Sequence, residues 1–288
     1  MLELMLPALV ASLVLLGLHG YLGIHIIARG VIFVDLALAQ VAAMGWAAAN
    51  LGLAVWIGNL LGIPASTAAY GVGLVATLVA AGLFSVSRLE RSFVPQEAII
   101  GIVFVVASAG TILLAAQAPR GSEHVQELLT GSLLWVTWPD IVRLAVVYAA
   151  IGAVHWFFRD RFLTISLNPD MAGKRGFSVA WWDFLFYALF GLMVTMSVAI
   201  VGVLLVFSFL VIPAVIAFLF TRRPGYLLAV AWMSGTIATV LGLFISFQAD
   251  LPTGPVVVCS FALVLIAAFG LWAAMGRREP VSAPSEAP

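Results

Sequence analysis

Four polar residues stand in apolar sequence on either side of Arg29-Gly30: His19 and His25 before it, Asp35 and Gln40 after it. A lipid-facing surface would hold only hydrocarbon at such positions. An ionisable side chain inside a membrane is costly, so each is a functional candidate by default. Imidazole and carboxylate are ligands that suit zinc, manganese or iron, whereas the amide of Gln40 is a weak one. His25 and Asp35 could equally serve as a coupling pair for protons or sodium. For all four, the alternative is a helix–helix hydrogen bond that merely holds the fold. If Arg29-Gly30 marks the shared end of two antiparallel spans, His19 and Gln40 both lie roughly 15–17 Å from that end, and His25 and Asp35 roughly 6–9 Å. The expectation is therefore two pairs at two depths, His19 with Gln40 and His25 with Asp35.

The elements that must position these groups follow from composition. The chain has 288 residues, 64% hydrophobic and 9% charged, with a mean hydropathy of +1.16. A soluble domain would carry about 25% charged residues. Long unbroken apolar runs point to helices rather than a membrane barrel. The class is an all-α, polytopic helical membrane protein in a lipid bilayer. A net charge of zero without a basic stripe gives no reason to expect nucleic acid. The single cysteine, Cys259, excludes a disulfide framework or thiolate metal site within one chain. Met1-Leu-Glu-Leu lacks the positive region of a signal peptide and reads as the start of the first span.

Apolar runs long enough to cross a core of about 30 Å lie at Leu4–Ala28, Val31–Leu53, Thr67–Ser87, Glu97–Ala116, Pro139–Phe158, Trp181–Ile200, Val203–Phe220, Gly225–Gln248 and Val256–Met275. Nine spans, with the N-terminus outside, place eleven of the thirteen basic residues on the cytoplasmic side and leave only Arg120 and Arg143 outside. The C-terminus is then cytoplasmic. Trp181–Phe220 is the stretch where eight spans are the alternative. It is too long for one crossing, and a tight turn at Val201-Gly202 gives two. Pro213 should kink the seventh span by freeing a carbonyl one turn earlier, which Ser208 is placed to bond. Gly202, Ser208 and Pro213 are thus the expected turn and kink residues. Residues 1–276 form one transmembrane domain, and residues 277–288, rich in proline and small polar residues, read as a disordered cytoplasmic tail.

Two segments between spans could act on partners. Ser122-Glu-His-Val-Gln-Glu-Leu-Leu129 reads as a short capped outer helix, with His124 and Glu127 as a docking face or a transient metal entry site. On the inner side, Asn168-Pro-Asp-Met-Ala-Gly173 has Asn at the cap, Pro at the first helical position and Asp in the first turn. Gly173 or Gly176 would end this single-turn helix, which has no core of its own and suits docking onto a partner. No GxxxxGK[ST] occurs, so the chain carries no P-loop and is not itself an ATPase.

Five stretches together resemble the permease subunits of bacterial metal-ion importers of the ATP-binding-cassette class, which handle zinc, manganese and iron. They are Gln96-Glu-Ala-Ile-Ile-Gly-Ile-Val-Phe104, Leu129-Thr-Gly-Ser-Leu-Leu134, Leu167-Asn-Pro-Asp-Met-Ala172, Val201-Gly-Val-Leu-Leu-Val-Phe-Ser-Phe-Leu-Val-Ile-Pro-Ala214 and Asp250-Leu-Pro-Thr-Gly-Pro255. The resemblance implies a homodimeric membrane core in the bacterial cytoplasmic membrane, two cytoplasmic ATPase subunits, an external metal-binding protein and no permanently bound cofactor. It also implies that Asn168, Pro169, Asp170, Met171, Ala172, Gly173, Lys174, Arg175 and Gly176 contact the ATPase.

The departures bear on the ion. The family's Asp and His, four residues apart early in the second span, fall on Leu36 and Gln40 when counted back from Gly45, so Asp35 is one residue off. Of the family's acidic pair after the third span only Glu97 remains, preceded by Gln96, and Glu97 joins the candidate path residues. The implied function is uptake of a divalent metal ion by alternating access. A metal-chelate permease, or a proton- or sodium-coupled transporter working alone, are the alternatives.

Overall fold

The structure is a computed structural model that describes residues 2–87, 94–117, 131, 133–167 and 169–276. Among these, nine helices are long and apolar enough to cross a membrane. In chain order the helices are α1 (Leu2–Arg29), α2 (Val34–Ala48), α3 (Ala54–Leu61), α4 (Ala65–Ser87), α5 (Gln96–Ala115), α6 (Trp138–Phe157), α7 (Arg159–Leu167), α8 (Pro169–Lys174), α9 (Val179–Val201), α10 (Val203–Phe220), α11 (Pro224–Ala249) and α12 (Thr253–Ala274). The expected outer helix at residues 122–129, the tail, and Arg88, Arg91, Arg120 and Asn168 lie outside the described residues.

The second span corrects the sequence reading. It was expected to end at Leu53, but the apolar run continues through a π-helical turn, Ala49–Leu53, into α3. Gly52, at φ +120°, takes a backbone conformation closed to most L residues, so the helix breaks and resumes there. The other boundaries agree with the structure to within a turn.

Chain order does not predict which helices pack together. The helix α1 packs on α10 and α11, on which α12 packs in turn, whereas α2 packs on α4, α5 and α9. The arms of the first hairpin therefore diverge into two groups, with α6 and α7 bridging α1 to α9. In lipid, every apolar face is acceptable to the solvent, so close backbone approach rather than hydrophobicity decides who packs on whom. Gly23 shows this: a Cβ there would come within 2.0 Å of the Leu210 carbonyl oxygen, which fixes α1 against α10. Helices within the first group differ in depth of burial. The α1 span is 67% buried, while that of α12 is 17% buried and borders the outside of the molecule.

A single residue, Gly202, separates α9 from α10, as expected. Its φ +80°, ψ 159° lies in a region essentially restricted to glycine. Gly131 closes on this joint, where a Cβ would come within 2.0 Å of Val201 backbone atoms. The glycine of the Leu129–Leu134 stretch is thus required by contact. Pro213 lies inside α10, which continues through it as one element. Ser208 donates to the Leu204 carbonyl at 2.9 Å, not to the carbonyl Pro213 frees, because a serine in a helix reaches back one turn.

The segment between α6 and α9 also differs from expectation. Two short helices occupy it, and α8 is not without a core: it packs on α7 and buries Ala172 completely. Gly176, at φ +71°, follows its end.

Candidate functional site

The polar groups of the interior fall into two sets. The first gathers where α1 ends. Arg29 and Asp183 form an ion pair at 2.6 Å with both side chains at 0% exposure. The guanidinium lies 3.8 Å over the ring of Phe186, and its Nε donates to Ser166 Oγ at 2.8 Å. Ser166 also shares a 2.8 Å hydrogen bond with His25 Nδ1. Asp183, Phe186 and Tyr187 are spaced i, i+3, i+4, so one face of α9 presents all three to Arg29. Tyr187 in turn accepts from Gln96 Nε2 at 3.2 Å, which ties α5 to the same set. His155 is stacked on Phe162 at 4.4 Å, and Tyr21 stands edge-on to both His25 and His155.

The second set lies deeper along α1. His19 is fully buried, with Nδ1 2.9 Å from the Leu15 carbonyl and 3.5 Å from the Tyr148 hydroxyl. Tyr148 is hydrogen-bonded to Ser197, which donates to the Met193 carbonyl. A carbonyl can only accept, so His19 Nδ1 carries the proton. In the neutral ring Nε2 is then a bare acceptor, and it has no partner among the described residues. His155 has the same arrangement on the Ile151 carbonyl, with Nε2 again unpartnered. Asp35 is 1% exposed, and neither carboxylate oxygen has a hydrogen-bond partner among the described residues.

The expected pairing by depth does not hold. His25 meets Ser166 rather than Asp35, and His19 meets Leu15 and Tyr148 rather than Gln40, which is half-buried. The physical reason is the divergence of α1 and α2: residues at one depth on helices of different groups do not face each other. Glu97 is elsewhere again, accepting from the Phe33 N–H at 2.9 Å and so serving the N-terminus of α2. Among the described residues, no group of three or more His, Cys, Asp or Glu could hold a metal ion.

Sequence reasoning overlooked Asp183, Ser166, His155, Tyr148 and Ser197. Asp183 was accessible to it: an aspartate in the first turns of the sixth span stands at the same end of the molecule as Arg29. Two cavities adjoin the sets. One, of about 170 Å³, opens between α2, α4 and α9 beside Ala39, Tyr70 and Thr195. The other, of about 390 Å³, lies between α1, α6, α7 and α11, with Tyr21, His25 and His155 in its wall and Arg159 at one end.

The described part of the expected partner contact, residues 169–176, follows α7, whose Ser166 belongs to the first set. Met171 is exposed, and the Arg175 guanidinium reaches Asp160 at 3.3 Å and Thr164 at 3.4 Å on α7. Ser166 itself belongs to the last turn of α7, immediately before this segment.

Known proteins match this arrangement over nearly its whole length. The model of the ABC 3 transport family matches residues 1–271. A probable metal transport system membrane protein of Chlamydia trachomatis is 24% identical over 98% of this chain and 92% of its own. The chelated iron transport system membrane protein YfeD of Yersinia pestis is 30% identical over 75% of this chain and 69% of its own. The manganese transport system membrane protein MntC of Listeria monocytogenes is 27% identical over 91% and 88%. Among solved structures, PsaBC from Streptococcus pneumoniae in complex with Fab superposes with a TM-score of 0.72 at 24% identity, covering 92% of this chain and 91% of that one. An inward-facing metal-chelate type ABC transporter gives 0.65 at 19% identity, covering 94% and 85%. These likenesses agree with the nine-span fold, and the chain belongs to the ABC 3 transport family.

Proposed function

We propose that this chain is the membrane permease subunit of an ATP-driven importer that carries a divalent transition-metal ion, zinc, manganese or iron, across the bacterial cytoplasmic membrane by alternating access. It acts as a homodimer with cytoplasmic ATPase subunits and receives its cargo from an extracytoplasmic metal-binding protein. The Arg29 end faces the cytoplasm, as the distribution of basic residues requires. The single observation that carries this reading is the family match over residues 1–271, shared with relatives described as metal transport proteins.

Within the membrane, Asp35 is the residue we assign to the passing cation. A buried carboxylate with no protein partner is expensive unless something else meets it. A cation in transit does so and then leaves. His19 offers the same open valence through Nε2. Gly202, which stands between helices of different packing groups, and Pro213, inside α10, are proposed to absorb the backbone change between states.

The deciding experiment is reconstitution of the chain with its ATPase subunit in liposomes. Metal uptake that requires ATP supports the proposal, and uptake driven by a proton or sodium gradient without ATP overturns it. Reversing Lys174 and Arg175 to glutamate is expected to abolish co-purification with the ATPase while leaving the permease folded. Intact assembly and transport would remove α8 from the contact. The 30% identity to YfeD supports one second reading, a chelate as cargo, which uptake of a metal chelate but not of the free ion would establish.

A further inference from the structure

We infer that Ser166, Arg29 and Asp183 are positioning residues that bind the inner ends of α1 and α9 to α7, so that displacement of α8 moves both packing groups at once. This rests on the proposed ATPase contact at α8. The geometry is specific. The Ser166 side chain, on α7, is hydrogen-bonded to Arg29, and it stands in the last turn before α8. Arg29 belongs to α1, in one packing group, and Asp183 to α9, in the other. The phenylalanine under the guanidinium, Phe186, is also within ring-stacking range of Phe162 on α7 at 6.2 Å.

Separating a fully buried ion pair leaves an uncompensated charge on each side, which is strongly unfavourable. The pair therefore persists through a transport cycle, and the three helix ends travel as one body. Ser166 differs from the pair itself. Its hydroxyl joins α7 to a guanidinium already neutralised by Asp183, so removing the hydroxyl weakens the connection without stranding a charge. At the opposite end of α9, Gly202 alone separates it from α10, which belongs to the other group. A rigid connection at one end of α9 and a glycine joint at the other would direct the turning of α10 relative to α9 to Gly202.

The test is ATP hydrolysed per metal ion transported, measured on the reconstituted permease–ATPase complex. Ser166→Ala is expected to fold, to assemble, to keep ATP hydrolysis within twofold, and to lower ions moved per ATP by about tenfold, the change that loss of one charge-assisted hydrogen bond supports. Ser166→Thr, which keeps the hydroxyl, should restore the ratio. Asp183→Asn should uncouple further where it folds. If it does not, Ser166→Ala carries the test alone. Parallel loss of hydrolysis and transport in Ser166→Ala, or a wild-type ratio, overturns the inference. Absence of ATP-driven uptake in the unsubstituted complex would instead defeat the proposed function, so the two failures are distinguishable.

Discussion

The Arg29–Asp183 pair and the buried groups Asp35 and His19 draw on the same kinds of residue, yet they are finished differently. Around Arg29, the carboxylate, hydroxyl and aromatic face all converge on the guanidinium within 3.8 Å. At Asp35, two carboxylate oxygens are buried and have no hydrogen-bond partner among the described residues, and His19 Nε2 is in the same condition. The difference separates two uses of polarity in a membrane interior. A closed set fixes the positions of helices, whereas open valences are retained where something mobile must be met. In these terms, the misplaced polar residues of the first seventy positions are of two sorts, and residue type alone does not distinguish them.

The largest expected effect follows from breaking the closed set. Asp183→Leu should destabilise the folded chain by about 3–5 kcal/mol, because Arg29 is left charged and buried. Asp35→Leu should be neutral or stabilising, since it removes an unmatched polar group without stranding another. Thermal melts of the two variants in detergent check the contrast directly. Equal melting temperatures would erase the distinction between the sets. Asp35→Asn should melt like the parent and lose metal uptake, and unchanged uptake would withdraw Asp35 from the path.

Much of this architecture was legible in the sequence, because charges and Gly/Pro breaks delimit spans regardless of how the spans pack. Nine spans, the one-residue turn at Gly202, and the α8 start signal could all be read that way. What depth cannot supply is azimuth. His25 and Asp35 share a level, but α1 turns toward α10 through the close approach at Gly23, and α2 turns toward α4 and α5. Nothing in a uniformly apolar sequence announces that choice, since lipid accepts either face. Asp183 was missed for a different reason: it sits just inside a span end, where a charge is unremarkable until its partner is known to be buried. The second span was read only to Leu53, whereas Gly52 is a break within the helix, which resumes beyond it.

An intermediate effect is expected at the joint between the groups. Gly202→Ala places a side chain in a glycine-only conformation and should cost about 1–3 kcal/mol. If the joint is a site of motion, transport should fall more than stability does. A variant that melts lower but transports at a proportionate rate would make Gly202 a packing requirement alone.

Glu97 gives the smallest effect and the finest division, because it belongs partly to each class. Its Oε1 accepts from the Phe33 N–H at 2.9 Å, while Oε2 is buried without a partner. The bonded oxygen satisfies a donor at the start of α2, where a negative charge is worth about 0.3–1 kcal/mol. Glu97→Gln keeps an acceptor and loses the charge, so the melting temperature should fall only slightly, by an amount corresponding to less than about 1 kcal/mol. The informative measurement is metal uptake by the same variant. Retained uptake assigns Glu97 to the frame with Arg29 and Asp183, as the hydrogen bond to Phe33 indicates. Loss of uptake comparable to that of Asp35→Asn would assign it to the open class. The open Oε2 would then outweigh the closed Oε1, and the path would extend from Asp35 in the first turn of α2 to Glu97 beside its N-cap.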